Sequence, residues 1–194
     1  MKNIIKSTAL LLCSLAFLTA CDDDRDNNPT IQTPTTFVLN TPSYAQANVD
    51  LATSESLAFS WSQPDYGYPA LASYQIQVSP TNRWTKDIQA GEKDATDQAV
   101  GDYKTFDTEF SLVKGSVAAN EMAKALQEIV RYEPNNVPAS QDVYVRVRAA
   151  YAGDTIYSNA VQIKVLPYYV KLKDAAIDVW YLIGGCFGEG GWGG

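Results

Sequence analysis

The chain has 194 residues, 22 acidic against 15 basic and no histidine, for a formal net charge of −7. An acidic surface argues against nucleic acid, because phosphate recognition needs clustered lysine and arginine. The absence of histidine removes the Ser-His-Asp triad, histidine-ligated metals and histidine acid–base chemistry together.

The first twenty residues read as an export leader. Lys2 and Lys6 supply a positive start, and residues 9–18 form an apolar run too short to span a bilayer as a stable helix. The leader ends in Leu18-Thr19-Ala20-Cys21. An apolar residue, two small residues and a cysteine form a lipobox, so Cys21 is expected to begin the mature chain and to carry the lipid. An ordinary signal peptide cut after Ala20, leaving Cys21 as a free thiol, uses the same small residues. Loss of Lys2 and Lys6 with the leader takes the net charge from −7 to −9. Attachment to an anionic membrane would then rest on acyl chains, and one chain alone anchors only marginally. Cys13 leaves with the leader, Cys21 is lipidated and Cys186 stands alone, so the mature chain has no internal disulfide.

Residues 21–35 form a polar tether that cannot bury a core. Asp22, Asp24 and Asp26 are spaced like a calcium loop, but Asn27 and Thr33 stand where that loop needs glycine and glutamate. No metal site is assigned.

Residues 36–167 read as one domain, and about 130 residues suffice for a self-sufficient apolar core. Residues 36–40 make a short β-rich run. Residues 55–62 alternate, with Leu57, Phe59 and Trp61 on one face. Pro64 to Pro69 break the chain into a loop. Residues 73–79 alternate again through Tyr74, Ile76 and Val78, and residues 80–102 form a long polar connection. Strand character returns over residues 103–113 through Phe106, Phe110 and Leu112. A helix is expected over residues 120–131, with Asn120 as N-cap, Glu121 and Arg131 complementing its dipole, and Met122, Leu126, Ile129 and Val130 on its apolar face. The strongest strand is residues 142–151: Val143, Val145, Val147, Ala149 and Tyr151 face inward, and Arg146 and Arg148 face outward to make surface ion pairs. Gly153-Asp154 turns the chain, and residues 157–166 pair back through Val161, Ile163 and Val165. These elements predict a mainly β fold, an antiparallel β-sandwich with one inserted helix.

The strand through Trp61 with the following Pro64, and the Val143 to Ala149 strand followed by Ser158-Asn159, resemble an immunoglobulin-like or fibronectin type III domain. A helix and a long connection enlarge it, and Val143 stands where that family usually has a tyrosine. Residues 168–194 change character. An apolar run, Val179-Trp180-Tyr181-Leu182-Ile183, leads into a glycine-rich segment holding Cys186 and Trp192. One strand cannot fold alone, so the segment reads as the start of a truncated second β-sandwich module, or else as a glycine-rich tail.

Taken together, several stretches resemble the SusE-type family, starch-binding surface lipoproteins of the Bacteroides starch utilisation system. They are Cys21-Asp22-Asp23-Asp24, Phe37-Val38-Leu39-Asn40-Thr41-Pro42, residues 57–67, Tyr74-Gln75-Ile76-Gln77-Val78-Ser79 and Val179-Trp180-Tyr181-Leu182-Ile183-Gly184 leading to Gly191-Trp192-Gly193. The resemblance implies an outer-membrane lipoprotein, lipid-anchored (a palmitate-type acyl group at Cys21), facing the cell surface. It implies a surface-export signal at Asp22, Asp23 and Asp24, and starch or another α-glucan as ligand. Other proteins of the starch utilisation system are implied as partners. The N-terminal domain would be a spacer, with Trp192 a glycan-contacting residue of the following module. No cofactor is implied. Carboxylates are numerous, so composition alone leaves glycoside hydrolysis open, but Asp65, Glu92, Asp94, Asp97 and Glu133 fall in loops with nothing marking a catalytic pair. The expectation is a binding or spacer protein rather than an enzyme.

Overall fold

The computed structural model describes residues 30, 32–90 and 100–172. Cys21, Asp22, Asp23, Asp24, Cys186 and Trp192 lie outside the described residues.

The strands β1 (Asn48–Asp50), β2 (Ser56–Ser60), β3 (Ser73–Ser79), β4 (Lys104–Phe110), β5 (Lys114–Ala118), β6 (Gln141–Tyr151), β7 (Asp154–Tyr157) and β8 (Val161–Leu166) are joined by a single described α-helix, α1 (Ala119–Val130). The larger sheet runs β1-β8-β6-β3-β4, with β7 also on β6. The smaller pairs β2 with β5, and it is extended by Leu39, which bridges to Trp61. The sandwich with one helix is therefore as expected. It is antiparallel except at β1, which lies parallel to β8.

The inward alternation of four strands, β2, β3, β6 and β8, builds the core. Leu57, Phe59 and Trp61 from one sheet meet Tyr74, Ile76, Val78, Val143, Val145, Val147, Ala149, Val161, Ile163 and Val165 from the other, all buried. Full burial of each aliphatic side chain is worth about 1.5–3 kcal/mol. Rings close the space between sheets: Trp61 packs on Tyr74 at 5.4 Å and edge-on to Phe110 at 6.0 Å. The buried Nε1–H of Trp61 has no acceptor among the described residues. Packing also reaches back before Thr36, since Pro34 is buried and the Gln32 amide donates to the Tyr66 carbonyl at 2.9 Å.

Several local expectations are corrected. The strand expected over residues 103–113 stops at Phe110; Leu112 sits in the following turn and is 62% exposed. The chain then reverses into β5, whose alternation is hidden because its inward position opposite Phe59 is Gly115. A Cβ there would lie 2.6 Å from the Phe110 ring, so the aromatic ring occupies the place of a side chain. The strand expected over residues 157–166 begins only at Val161 as β8; β7 starts earlier, at Asp154 where a turn is expected, and ends at Tyr157, both strands pairing with β6 and Ser158 lying between them. The Ser158 hydroxyl accepts the Val147 amide and its own amide donates to the Val147 carbonyl.

The helix also differs from its expected form. Asn120 is not its N-cap: Ala118 occupies that position without a side-chain cap, and α1 leaves β5 directly. The Ala119 amide is satisfied by the Glu55 carbonyl of the neighbouring chain segment, so backbone does the work of a polar cap. Arg131 ends the helix in the left-handed region at φ 60°, its amide donating to the Gln127 carbonyl. The buried face is Ala119, Met122, Ala123, Ala125, Leu126 and Gln127, whereas Val130 is 40% exposed. Leu126→Ala should cost about 2–5 kcal/mol in urea denaturation, and Val130→Ala should stay within about 0.5 kcal/mol.

Candidate functional site

The outer face of the larger sheet carries a connected cluster of polar and aromatic side chains. Period-two geometry places Arg146 and Arg148 of β6 on the face opposite Val145 and Val147. Register aligns Arg146 with Gln77 and Arg148 with Gln75 on β3. Arg146 Nε donates to Gln77 Oε1 at 2.7 Å, and Arg148 Nη1 donates to Gln75 Oε1 at 2.7 Å. Among the described residues the expected surface ion pairs are not made: both guanidinium groups bond to neutral amide oxygens. Burial also draws Arg146 below the usual arginine range, with no loss of charge at neutral pH.

The described ends of the connection between β3 and β4, residues 80–90 and 100–103, lie against this face. Ser79 Oγ starts it by accepting the amides of Thr81 and Arg83 and donating to the Asp102 carbonyl. Its two arms then run side by side: the Ile88 amide donates to Tyr103 O, and the Asp102 amide to Lys86 O. Gly101 permits that approach, since a Cβ there would come within 2.6 Å of the Ile88 nitrogen. Trp84 and Tyr103 are thereby brought onto Arg146. Its guanidinium carbon lies 4.2 Å from the Trp84 ring centre, 4.0 Å from Tyr157 and 5.5 Å from Tyr103. Half-buried cation–π contacts of this kind are worth about 0.5–2 kcal/mol each.

A buried relay continues inward from the arginine. Gln77 is 2% exposed and donates from Nε2 to Thr105 Oγ1 at 2.8 Å; Thr105 in turn donates to Asp87 Oδ2. The chain Arg146–Gln77–Thr105–Asp87 thus links partner to partner, as a network in low dielectric requires. Tyr103 is held above the ordinary phenol range, chiefly by burial and then by the nearby Asp87 charge.

A second feature lies on the smaller sheet, a groove of about 720 Å³. Asn40, Tyr44, Ser60, Phe110, Leu112 and Lys114 contribute to its lining. Tyr44 is fixed by its hydroxyl, which donates to the Ala58 carbonyl at 2.7 Å, and by edge-on packing against Phe59; burial raises its pKa. Elsewhere Tyr132 is pushed up to about 12 by burial, with its hydroxyl donating to Gln141 Oε1. These shifts carry phenols away from neutrality, the reverse of the tuning that acid–base catalysis at neutral pH needs. Among the described residues no three His, Cys, Asp or Glu side chains converge as metal ligands.

The sequence-derived site residues Cys21, Asp22, Asp23, Asp24 and Trp192 all lie outside the described residues. The Arg146 cluster is not legible in the sequence; the one available signal is the outward placement of Arg146 beside Gln77 in neighbouring alternating strands. Arg146→Ala should release the β3–β4 connection, giving faster trypsin cleavage after Arg83 and Lys86 and a redder Trp84 emission. Cleavage at the wild-type rate would remove the clamp from the description.

The family model described as SusE outer membrane protein matches residues 23–148. That span begins within the acidic run, at Asp23, and ends inside β6 at Arg148, taking in β1 to β5, α1 and the part of β6 that carries Arg146. It covers more than half of the 194 residues, and the chain belongs to the SusE outer membrane protein family and is an outer-membrane protein.

Proposed function

We propose that this chain is the anchor and N-terminal spacer of a cell-surface lipoprotein that binds starch and malto-oligosaccharides ahead of import by a starch utilisation system. Family membership over residues 23–148 is the observation that carries this reading. Cys21 holds the lipid, and Asp22, Asp23 and Asp24 direct the protein to the outer face. The sandwich then holds the glycine-rich C-terminal segment away from the membrane. A spacer needs a core that closes on itself, and the two sheets bury theirs without a disulfide or a metal among the described residues.

Trp192 is the proposed glycan contact. An exposed indole offers a flat apolar surface to the C–H face of a glucose ring, and its N–H can serve a hydroxyl. The protein works by binding rather than by catalysis, uses no cofactor, and meets other starch utilisation proteins at the membrane. A second reading, a spacer with no glycan binding of its own, is favoured by the predominance of structural contacts in the described domain.

Native-gel migration of the chain from Asp22 onward, with and without amylopectin, separates the two. Retardation that disappears in Trp192→Ala supports the glycan contact. Absence of retardation leaves anchor and spacer as the role of these residues, and retardation unchanged in the variant contradicts the assignment to Trp192.

A further inference from the structure

Arg146 and Arg148 stand side by side on the outer face with no carboxylate paired to either among the described residues. Arg146 is oriented by Trp84 and Tyr157 on its plane and by Gln77 at Nε. Its two terminal nitrogens donate to no described atom. Arg148 uses Nη1 on Gln75 and reaches Thr155 Oγ1 from Nη2 at a long 3.4 Å. Two forks are therefore fixed in direction while several of their donors remain unused.

The neighbouring ring completes the pattern. Tyr157 lies opposite Arg148 in the β6–β7 register, contacts the Arg146 guanidinium, and is 41% exposed. One face of the Tyr157 ring is taken by the Arg146 guanidinium, and the exposed remainder of the phenol is an apolar surface for the ring of a ligand. A fixed guanidinium edge matches a carboxylate in bidentate geometry, where the bonds are charge-assisted and short. Burial that draws the Arg146 pKa down means that an incoming anion would meet a partly desolvated cation, less screened than one on an open surface. Charge complementarity thus selects an acidic ligand, and the ring beside the forks selects one with a cyclic body.

We infer that Arg146, Arg148 and Tyr157 form a binding site for an acidic sugar, a uronate whose carboxylate takes the unused guanidinium donors while its ring lies against Tyr157. The site is separate from the starch reading, which concerns Trp192 and an uncharged glucan.

The test is calorimetric titration of the chain from Asp22 onward with trigalacturonate, maltotriose and sodium sulfate. Trigalacturonate should bind roughly tenfold or more tightly than maltotriose or sulfate, and should weaken severalfold between about 50 and about 500 mM salt, as an ion-paired contact must. Arg148→Gln should weaken it tenfold or more while lowering the melting temperature by no more than a few degrees, since it loses only the outer-face bonds to Gln75 and Thr155. Tyr157→Leu should leave sulfate binding unchanged and abolish the preference for the sugar. Equal binding of maltotriose, equal binding of sulfate, an undiminished affinity in Arg148→Gln, or no heat with trigalacturonate would each overturn the assignment. None of these outcomes bears on amylopectin retardation, so the two readings fail separately.

Discussion

The alternation of β6 is the constraint on which the other parts depend. It is an 11-residue strand, and it pairs with β3 along one edge and with β7 and β8 along the other. Its inner face, Val143, Val145, Val147 and Ala149, is wholly buried. Because side chains alternate with a period of two, fixing that face inward leaves Arg146 and Arg148 no position except the outer one. A slip of one residue would put two guanidinium groups into the core, where an unpaired charge costs several kcal/mol. The register of β6 is thus set by hydrophobic burial, and the outer cluster inherits its position from it.

From that strand the structure spreads in two directions. Inward, Tyr74 of β3 and Trp61 beyond β2 carry the core across to the smaller sheet. There Phe110 and Gly115 fit ring against glycine to close the β4–β5 turn. Outward, Arg146 gathers Trp84, Tyr103 and Tyr157 and passes through Gln77 and Thr105 to Asp87, tying down a connection that would otherwise be a long polar loop. The domain is thus fastened on both faces of its central strand, which is what the proposed spacer role asks of it. A chain without a described disulfide has to obtain that fastening from packing and polar networks alone.

How much of the fold is legible in the sequence depends on the range of each interaction. The alternation in β2, β3 and β6 is local and long enough to read, and it yields the sandwich and most of the core. β5 is invisible because only Val117 marks its inward face, its other inward position being Gly115 beneath a ring from β4. The helix is found from its spacing, but its start is misplaced, since the Glu55 carbonyl and not a polar side chain receives the first amide. β1 is three residues long and depends on β8 for its existence. Arg146 is expected in an ion pair because charge is the only local clue. Its actual neighbours come from β7 and from both arms of a connection far along the chain, and cation–π contacts leave no periodic mark. The lipid, export and glycan residues rest on motifs and family resemblance, and family membership supports that setting without reaching Cys21 or Trp192.

Native-state hydrogen exchange on the full chain would test the central place of β6 most directly. Its amides should exchange only through global unfolding, with an opening free energy equal to that from urea denaturation and higher than that of the β3–β4 connection. Exchange of β6 by a local opening less costly than that of α1 would contradict the view that this strand holds the domain together.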